Sequence, residues 1–383
     1  MYCAHSKIRI LFTYFPISHR PLFANSKKIS KIAVTNSIPA MKYSLIIPVY
    51  NRPDEVGELL QSLLCQQRSD FEVILVEDGS TLPCREVADA YADRLCIRYF
   101  AKPNSGPGQS RNYGAERAQG EYLIVLDSDV VIPDGYLAAI DAELSASPTD
   151  AFGGPDRAHS SFTPIQKAIN YSMTSFFTTG GIRGGKQKMD KFYPRSFNMG
   201  IRADVYRALG GFSDMRFGED IDFSTRIFRG GYRCRLFPEA WVWHKRRADF
   251  RKFYRQVYNS GIARINLKLL YPDTFKVVHL LPCLFTLGML CCALLALVAL
   301  GLALGGLIGY VWAALCLAPP IGFSLIIFAD SLRLNRSLRV ATLSVGAAFV
   351  QLFGYGLGFI SAWWKRIVCH RSEFQAFRTN FYK

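Results

Sequence analysis

The hydrophobic positions follow two patterns in the first part of the chain and almost fill a long stretch of its last third. From residue 43 onward, compact apolar runs alternate with segments in which apolar residues recur every three to four positions. The first pattern predicts buried strands and the second predicts amphipathic helices. Residues 277–329 contain no Asp, Glu, Lys or Arg. The sequence therefore predicts an α/β domain followed by C-terminal transmembrane helices.

The predicted strands occupy regularly spaced apolar runs. Four of them lie near residues 43–49, 71–76, 96–100 and 122–126, and a further strand-like run at 232–243 ends at His244. Alternating strands and helices predict a mostly parallel sheet that is covered on both faces. Such sheets bind ligands beyond the carboxyl ends of their strands. Tyr50, Asp78 and the Asp127–Asp129 pair stand at three of these ends.

The apolar stretch is long enough for two membrane spans, near residues 277–303 and 306–328. Each exceeds the roughly 20 residues that a helix needs to cross a bilayer. A third apolar segment, 341–364, contains several glycines and Gln351 and is predicted to span, to be re-entrant or to lie in the interface. The basic tail at 365–383 favours the cytoplasmic side, whereas three complete spans would place it outside. The number of spans stays open.

The formal charge of +16 is concentrated in two segments. Residues 1–40 carry +6 without an acid, and residues 245–268 carry +7. The remainder is close to neutral, so nucleic acid is not an expected partner. The second cluster directly precedes the apolar stretch, which favours contact with anionic lipid head groups; a solvated helix face is the alternative. We expect a lipid bilayer as a partner.

These patterns divide the chain into five parts. Residues 1–40 are predicted to be a basic leader, either disordered or upstream of a true start at Met41. The α/β domain follows at 41–245, and then a basic amphipathic juxtamembrane segment at 246–276. The transmembrane region covers 277–364, with two or three spans, and the basic tail covers 365–383.

Asp127 and Asp129 form an Asp-x-Asp pair at the end of the fourth predicted strand. Mg²⁺ and Mn²⁺ prefer oxygen ligands and often bridge carboxylates to the phosphates of a substrate. Paired acids are also common in solvated turns, so the pair alone is a weak signal. Acidic and polar residues at the ends of other strands make a metal site a stronger interpretation.

An ordered set of motifs shows a family resemblance. The set is Tyr43-Ser-Leu-Ile-Ile-Pro-Val-Tyr-Asn51, Val76-Glu-Asp-Gly-Ser80, Gly106-Pro-Gly-Gln-Ser-Arg-Asn112, Leu126-Asp-Ser-Asp129, Gly211-Phe-Ser-Asp214 and Gly218-Glu-Asp-Ile-Asp222. Over roughly residues 43–265 the chain resembles the family 2 glycosyltransferases, which are inverting enzymes. The resemblance implies a nucleotide-sugar-binding, Rossmann-like domain of the glycosyltransferase A type.

The resemblance also implies a set of site residues and a metal cofactor, Mg²⁺ or Mn²⁺. The residues implied for the nucleotide-sugar donor, with a UDP-sugar favoured, are Pro48, Tyr50, Asp78, Arg111, Asp127 and Ser128. Asp129 and His244 are implied as metal ligands, Asp220 as the general base that deprotonates the acceptor, and Glu219 and Asn198 as acceptor-side residues.

Several of these residues have a structural alternative. Asp78 is typical of a strand-end turn, and Arg111 of a helix cap or surface ion pair. Glu219 and Asp220 are typical of a helix N-terminus. His244 and Asn198 could both be buried packing residues.

The expected function is transfer of one sugar to a lipid-linked or membrane-proximal glycan acceptor, in bacterial surface polysaccharide synthesis. The Gln-x-x-Arg-Trp signature of processive synthases is missing from the stretch Arg255–Arg264, which argues against chain extrusion. We expect the chain in the inner membrane as a multi-pass protein with a cytoplasmic catalytic domain. The alternatives are a polyprenyl-phosphate glycosyltransferase of the dolichyl-phosphate-mannose-synthase type and a catalytically silent membrane scaffold. The Gly- and Lys-rich segment 176–196 is predicted to be a mobile loop that closes over donor and acceptor.

Overall fold

The structure is a computed structural model and describes residues 41–157, 162–179 and 192–371. The predicted leader, most of the predicted loop at 176–196 and the end of the basic tail lie outside these ranges. The strands are β1 (Tyr43–Val49), β2 (Phe71–Asp78), β3 (Ile97–Lys102), β4 (Tyr122–Leu126), β5 (Val130–Val131), β6 (Ala151–Gly153), β7 (Asp156–Arg157), β8 (Asn198–Arg202), β9 (Cys234–Leu236) and β10 (Val242–His244).

Helices separate most of the strands and form the C-terminal part. They are α1 (Pro53–Leu63), α2 (Arg85–Tyr91), α3 (Pro107–Ala115), α4 (Tyr136–Ala146), α5 (Pro164–Thr174), α6 (Phe176–Thr179), α7 (Ala203–Ala208), α8 (Glu219–Arg229), α9 (Phe250–Leu270), α10 (Leu281–Leu304), α11 (Val311–Asn335) and α12 (Leu338–Trp363).

The main sheet has seven strands in the order β3-β2-β1-β4-β8-β6-β9. The four strands predicted from apolar runs form its parallel half. Strand β8 runs antiparallel to both of its neighbours, so the sheet is mixed. Strand β8 was not predicted, because Gly200 interrupts its apolar pattern. A Cβ at Gly200 would lie 2.0 Å from the Phe152 ring.

The predicted strand at 232–243 is two short strands in different sheets. Strand β9 extends the edge of the main sheet, and β10 lies between β5 and β7 in a second sheet of three strands. The backbone turns between them, where the amide of Ala240 donates to the carbonyl of Phe237. This turn redirects the chain so that β10 lies next to the segment that follows β4.

Alternate residues of β1 pack on opposite faces of the sheet. Tyr43, Leu45 and Ile47 join a buried cluster that also contains apolar residues of α1 and α4. Ile46 joins a second cluster with residues of β8, α7 and α8. This two-residue period is that of a strand between two layers of helices.

Three C-terminal helical segments are long and apolar enough to cross a membrane: Val277–Leu304, Val311–Asn335 and Leu338–Val368. The most apolar window of the third is 44% buried, compared with 17% and 6% for the first two. The third helix, α12, owes this burial to contacts with α5, α9, α10 and α11. Helices α5 and α9 therefore pack on α12, while α10 and α11 expose apolar side chains.

Glycines let α12 approach its neighbours closely. A Cβ at Gly358 would lie 2.1 Å from the carbonyl oxygen of Tyr258 on α9, and one at Gly356 would lie 2.2 Å from Thr286 Oγ1 on α10. On the α9 side, a Cβ at Gly261 would lie 2.2 Å from the carbonyl oxygen of Tyr355. These residues allow backbones to pack at short distance. They therefore need no re-entrant turn, and α12 is one continuous helix.

Candidate active site

Strand pairing places His244 beside the Asp-x-Asp pair. Strand β5 begins immediately after Asp129 and pairs antiparallel with β10, with His244 opposite Val130. The backbone amide of Lys245 donates to the carbonyl of Asp129 (3.2 Å). The ring of Phe197 stacks on the imidazole of His244, with ring centroids 5.0 Å apart. Phe197 therefore covers one face of the imidazole, and the strand pairing fixes the backbone of His244.

Asp127, Asp129 and His244 form the candidate metal cluster. One ligand atom from each residue lies within 4.8 Å of those of the other two. His244 Nε2 lies 3.2 Å from Asp129 Oδ1 and 3.9 Å from Asp127 Oδ2. In the described part of the chain, Asp129 Oδ1 is buried and makes no hydrogen bond of normal geometry. Two carboxylates and an imidazole around such an oxygen suit Mn²⁺ or Mg²⁺.

Positive charge surrounds Asp129. Arg52 Nη1 lies 2.5 Å from Asp129 Oδ2, and Arg247 Nη1 lies 3.9 Å from the same oxygen. Burial alone would raise the pKa of Asp129, but His244, Arg52 and Arg247 outweigh it and hold that pKa well below its usual range. The carboxylate is thus ionised at neutral pH, as a metal ligand must be.

Arg111 connects the metal cluster to helix α8. Its side chain is 4% exposed; Nη2 lies 2.9 Å from Asp127 Oδ1 and Nη1 lies 3.0 Å from Glu219 Oε1. The guanidinium also lies over the ring of Phe212, 5.1 Å from its centroid. This is a buried, bridging ion pair and not the surface pair that the sequence left open.

Helix α8 begins at Gly218, whose φ of 90° is in the left-handed region. The two residues that follow, Glu219 and Asp220, therefore stand in the first turn, near the positive end of the helix. Asp220 Oδ2 lies 2.7 Å from Arg195 Nε, and its side chain is 13% exposed. Asp220 also lines a cavity, so its carboxylate is accessible to a substrate.

Contacts with α3 fix this turn. The side-chain amide of Asn112 makes two hydrogen bonds with the backbone of Phe212. Its Nδ2 donates to the carbonyl of Phe212 (2.8 Å), and its Oδ1 accepts from the backbone amide of Phe212 (2.8 Å). Arg226 of α8 donates to the carbonyls of Leu209 and Gly211, each at 2.7 Å. The segment 209–218 is thereby held between α3 and α8.

The pKa of Glu219, in this turn, is strongly raised. Burial, followed by the negative charge of Asp220, raises the pKa of Glu219 from 4.5 to about 7, although Arg111 opposes the shift. A folded protein then retains a proton that the unfolded chain releases between these two values. Stability from this group is full below the unfolded pKa and is lost as pH rises through the folded pKa.

We therefore expect Glu219→Gln to raise the melting temperature of the protein in neutral detergent more at about pH 8 than at about pH 5. At about pH 8 the buried carboxyl of Glu219 ionises in wild type and destabilises the fold, whereas the glutamine side chain of the variant stays neutral. The shift corresponds to at most about 3 kcal/mol. Thermal unfolding of both proteins measures the gap. The exposed acid Glu239 provides the matched control, as Glu239→Gln. A gap that does not change with pH would contradict the assignment.

Asp78 is buried at the end of β2, and the loop after β3 surrounds its carboxylate. Oδ1 accepts from Lys102 Nζ and from the amide of Ser105 (2.9 Å). Oδ2 accepts from the amide of Gly106 (2.9 Å) and from Asn104 Nδ2 (3.2 Å). A carboxylate offers about four lone-pair positions. Contact between Asp78 and a nucleotide base stays a prediction, and it requires one of these donors to move.

The other predicted donor residues stand at neighbouring strand ends. Pro48 and Tyr50 are partly exposed at the end of β1, and Ser128 is buried between the two metal-cluster acids. Asn51, next to Tyr50, has a φ of 53°, and its oxygen accepts from the amides of Thr81 (2.7 Å) and Leu82 (2.9 Å). Asn51 thus joins the loops after β1 and β2.

Asn198 lies away from this surface. It is 1% exposed; its oxygen accepts from Tyr136 OH (2.6 Å), and its amide donates to the carbonyl of Ala240 (2.8 Å). These contacts agree with the packing alternative for Asn198. The acceptor-side role of Asn198 stays a prediction.

The structure adds basic residues that the sequence analysis did not single out. They are Arg52, Lys102, Arg195 and Arg247, each paired with a predicted acidic residue. Arg52 and Lys102 stand at strand ends, like the acids that they pair with. Their position at the same edge of the sheet could have indicated these ion pairs from the sequence. Arg195 lies in an irregular segment without a periodic pattern.

Comparison with known families decides the interpretation. Residues 44–210 match the family model described as "Glycosyl transferase family 2". These residues form a family 2 glycosyltransferase domain. The match includes the metal-cluster acids and Arg111, whereas α8, His244 and the C-terminal helices lie beyond it.

Relatives of the glycosyltransferase domain include several bacterial proteins. An uncharacterized glycosyltransferase of Rickettsia felis is 35% identical over 37% of this chain and 23% of its own length. The uncharacterized glycosyltransferase EpsJ of Bacillus subtilis is 28% identical over 51% of this chain and 59% of its own. Staphylococcus aureus TarS, a poly(ribitol-phosphate) β-N-acetylglucosaminyltransferase, is 36% identical over 23% of this chain and 16% of its own. The alignments cover less than two thirds of each relative.

Among solved structures, a mannosyltransferase from Pyrobaculum calidifontis, in complex with GDP-Man and Mn²⁺, has a similar fold. The TM-score is 0.52 at 16% identity, over 85% of this chain and 88% of that one. This similarity confirms the glycosyltransferase A-type fold of the domain.

Proposed function

We propose that the chain is a metal-dependent, inverting glycosyltransferase that moves one sugar from a nucleotide-sugar donor to an acceptor at the membrane. The contacts of Arg111 carry the proposal. One guanidinium binds Asp127 of the metal cluster and Glu219, the neighbour of Asp220. Arg111 therefore links the candidate cation site to the helix turn that carries the candidate base, and an inverting displacement needs both groups near the reacting sugar.

In this proposal Asp220 accepts the proton of the acceptor hydroxyl as that hydroxyl attacks the sugar. Arg195, 2.7 Å from Asp220 Oδ2, keeps the carboxylate oriented toward the cavity. Asp129, His244 and Asp127 would hold Mn²⁺ or Mg²⁺, which supplies Lewis-acid stabilisation of a diphosphate leaving group. Pro48, Tyr50 and Ser128 would contact the nucleotide, with a UDP-sugar as the favoured donor.

Nucleoside-diphosphate release by the full-length protein tests this function. Protein purified in neutral detergent is incubated with Mn²⁺ and a panel of UDP-, GDP- and dTDP-sugars, with and without a bacterial lipid extract as acceptor. We expect release from one donor, dependent on the metal and stimulated by the extract. Absence of release and of donor binding across the panel would contradict the proposal and favour the catalytically silent scaffold.

We also propose a membrane topology. Helices α10 and α11 would form a hairpin across the bacterial inner membrane, with the catalytic domain in the cytoplasm. Helix α12 would lie along the cytoplasmic interface, since it is the most buried of the three and packs on α5 and α9. Two spans return the basic residues after α12 to the side of the catalytic domain, as the positive-inside rule favours. Bacterial surface polysaccharide synthesis, on that face of the membrane, is the proposed setting.

Cys369 follows α12 and is exposed, so it reports on this topology. In a variant that retains Cys369 alone among its cysteines, we expect a membrane-impermeant maleimide to label inverted vesicles and not intact spheroplasts. The matched variant replaces Leu307, between α10 and α11, as Leu307→Cys on a Cys369→Ser background, and should show the opposite pattern. Labelling of Cys369 from the outside would establish three spans.

A polyprenyl-phosphate glycosyltransferase is the second candidate, and the basic cavity described next favours it. In that reaction the acceptor is a phosphate oxygen, which is already ionised and has little need of a base. Transfer that survives Asp220→Asn would therefore select the second candidate.

A further inference from the structure

A large cavity runs from the candidate active site into the C-terminal helices. Its volume is about 1360 Å³. Glu219 and Asp220 border it on the side of the glycosyltransferase domain. Phe285 and Leu352, on α10 and α12, border it within the apolar helices. Ligand pockets usually measure about 300–1,000 Å³. The cavity therefore has room for more than the reacting sugar.

The lining of the cavity carries a large excess of positive charge. Its basic residues are Arg195, Arg216, Arg247, Lys252, Arg255, Arg264 and Lys365. The acidic residues of the lining are Glu219 and Asp220, and both are already paired with arginines. An occupant that matches this charge is an anion.

Three of the basic residues have no acidic partner in the described part of the chain. Neither Arg255 nor Arg264 on α9 makes an ion pair there, and the same holds for the Lys365 side chain after α12. The Nε atom of Arg264 is buried and has no hydrogen-bond partner among the described residues. An unsatisfied buried donor on the cationic side chain of Arg264 is costly, whereas Arg255 and Lys365 are exposed cations. A ligand that supplies several anionic oxygens would pair with all three.

Apolar side chains from the C-terminal helices also line the cavity. Leu281 and Phe285 come from the start of α10, Val278 from the turn just before it, and Leu352 from α12. Phe285 packs against Phe323, Phe349 and Phe353, with ring centroids 4.8–5.9 Å apart, so this part of the cavity is continuous with the helix bundle. A free nucleotide or a phosphopeptide would leave this surface without a matching chain.

We infer that the cavity binds a lipid phosphate. One or two phosphate groups lie against Arg255 and Arg264, and the hydrocarbon chain lies between α10 and α12. Anything attached to the phosphate points toward Asp220. The inference rests on the proposed function, and it makes the acceptor a phosphate-bearing isoprenoid or alkyl lipid held by α9.

Farnesyl diphosphate, farnesol and inorganic diphosphate separate the parts of this proposal. Their affinities for the full-length protein in neutral detergent are measured by isothermal titration calorimetry, without a donor. We expect farnesyl diphosphate to bind at least about tenfold more tightly than either of the others, because it alone matches both the cations and the apolar lining.

Variants on α9 locate the phosphate. Arg255→Gln and Arg264→Gln are each expected to weaken binding of farnesyl diphosphate by about tenfold or more, with farnesol unaffected. Arg251→Gln is the matched control, since Arg251 is exposed on the same helix and does not line the cavity. Melting temperatures identify any variant that fails to fold, and Lys365→Gln then replaces it in the series.

Three results would overturn the inference. Equal affinity for farnesol would show a simple apolar pocket, and equal affinity for inorganic diphosphate would show an anion site without a lipid. Unchanged binding of farnesyl diphosphate in both arginine variants would show that the phosphate does not bind at Arg255 and Arg264. Because these measurements need no sugar transfer, loss of donor turnover with intact lipid binding would count against the proposed function alone.

Discussion

Asp220→Asn is expected to lower the rate of sugar transfer by about 10²–10⁴-fold or more, while donor affinity stays within about twofold. Asn has nearly the same shape as Asp but cannot accept the acceptor's proton. Asp220 also does not belong to the cluster of Asp127, Asp129 and His244 that we assign to the metal. Transfer is measured with a radiolabelled donor and the lipid extract, and donor binding by calorimetry.

The matched control is Asp204→Asn. Asp204 is an exposed acid that also pairs with an arginine, Arg202, but it lies on α7 outside the cavity. It should transfer sugar at the wild-type rate. Loss of donor binding in parallel with transfer in Asp220→Asn would remove Asp220 from the role of base.

Asp129→Asn is expected to abolish the stimulation by Mn²⁺ and to reduce turnover by about 10²-fold or more, since metal assistance contributes several kcal/mol. The substitution removes the charge that His244, Arg52 and Arg247 share. Electron paramagnetic resonance of bound Mn²⁺ measures the loss of the site independently of activity.

Asp134→Asn is the control for this change, because Asp134 is exposed and lies five residues along the same segment. His244→Gln provides a second test, as it removes a ligand without leaving Arg52 unpaired. Wild-type Mn²⁺ binding in both Asp129→Asn and His244→Gln would contradict the assignment of the cluster.

The sequence was sufficient for the parts of the fold that depend on local pattern. The four long apolar runs became the parallel strands β1 to β4. Asp129 and His244 were predicted as metal ligands and Asp127 as a donor residue; the structure brings one ligand atom of each within 4.8 Å of the others, and metal binding stays a prediction. The roles of Asp220, Asp78 and the donor residues stay predictions.

Long-range pairing explains what the sequence analysis missed. Strand β8 depends on its neighbours β4 and β6 more than on its own apolar content, because Gly200 leaves space for the ring of Phe152. The four bonds to Asp78 come from the last residue of β3 and from the loop that follows this strand. The glycines of α12 suggested a re-entrant segment. Their packing partners on α9 lie about 100 residues earlier in the chain, so the local pattern did not reveal the helix contact that these glycines allow.

The close packing of α9 on α12 has a consequence for the length of the product. Because the backbones meet at Gly261 and Gly358, the domain has little freedom to rise from the helices that hold the lipid. In the proposed membrane topology, the height of Asp220 above the bilayer would then be constant. Once a sugar had been added, the new terminal hydroxyl would stand beyond the reach of that carboxylate. The enzyme would thus measure its acceptor from the membrane upward and stop after a single addition.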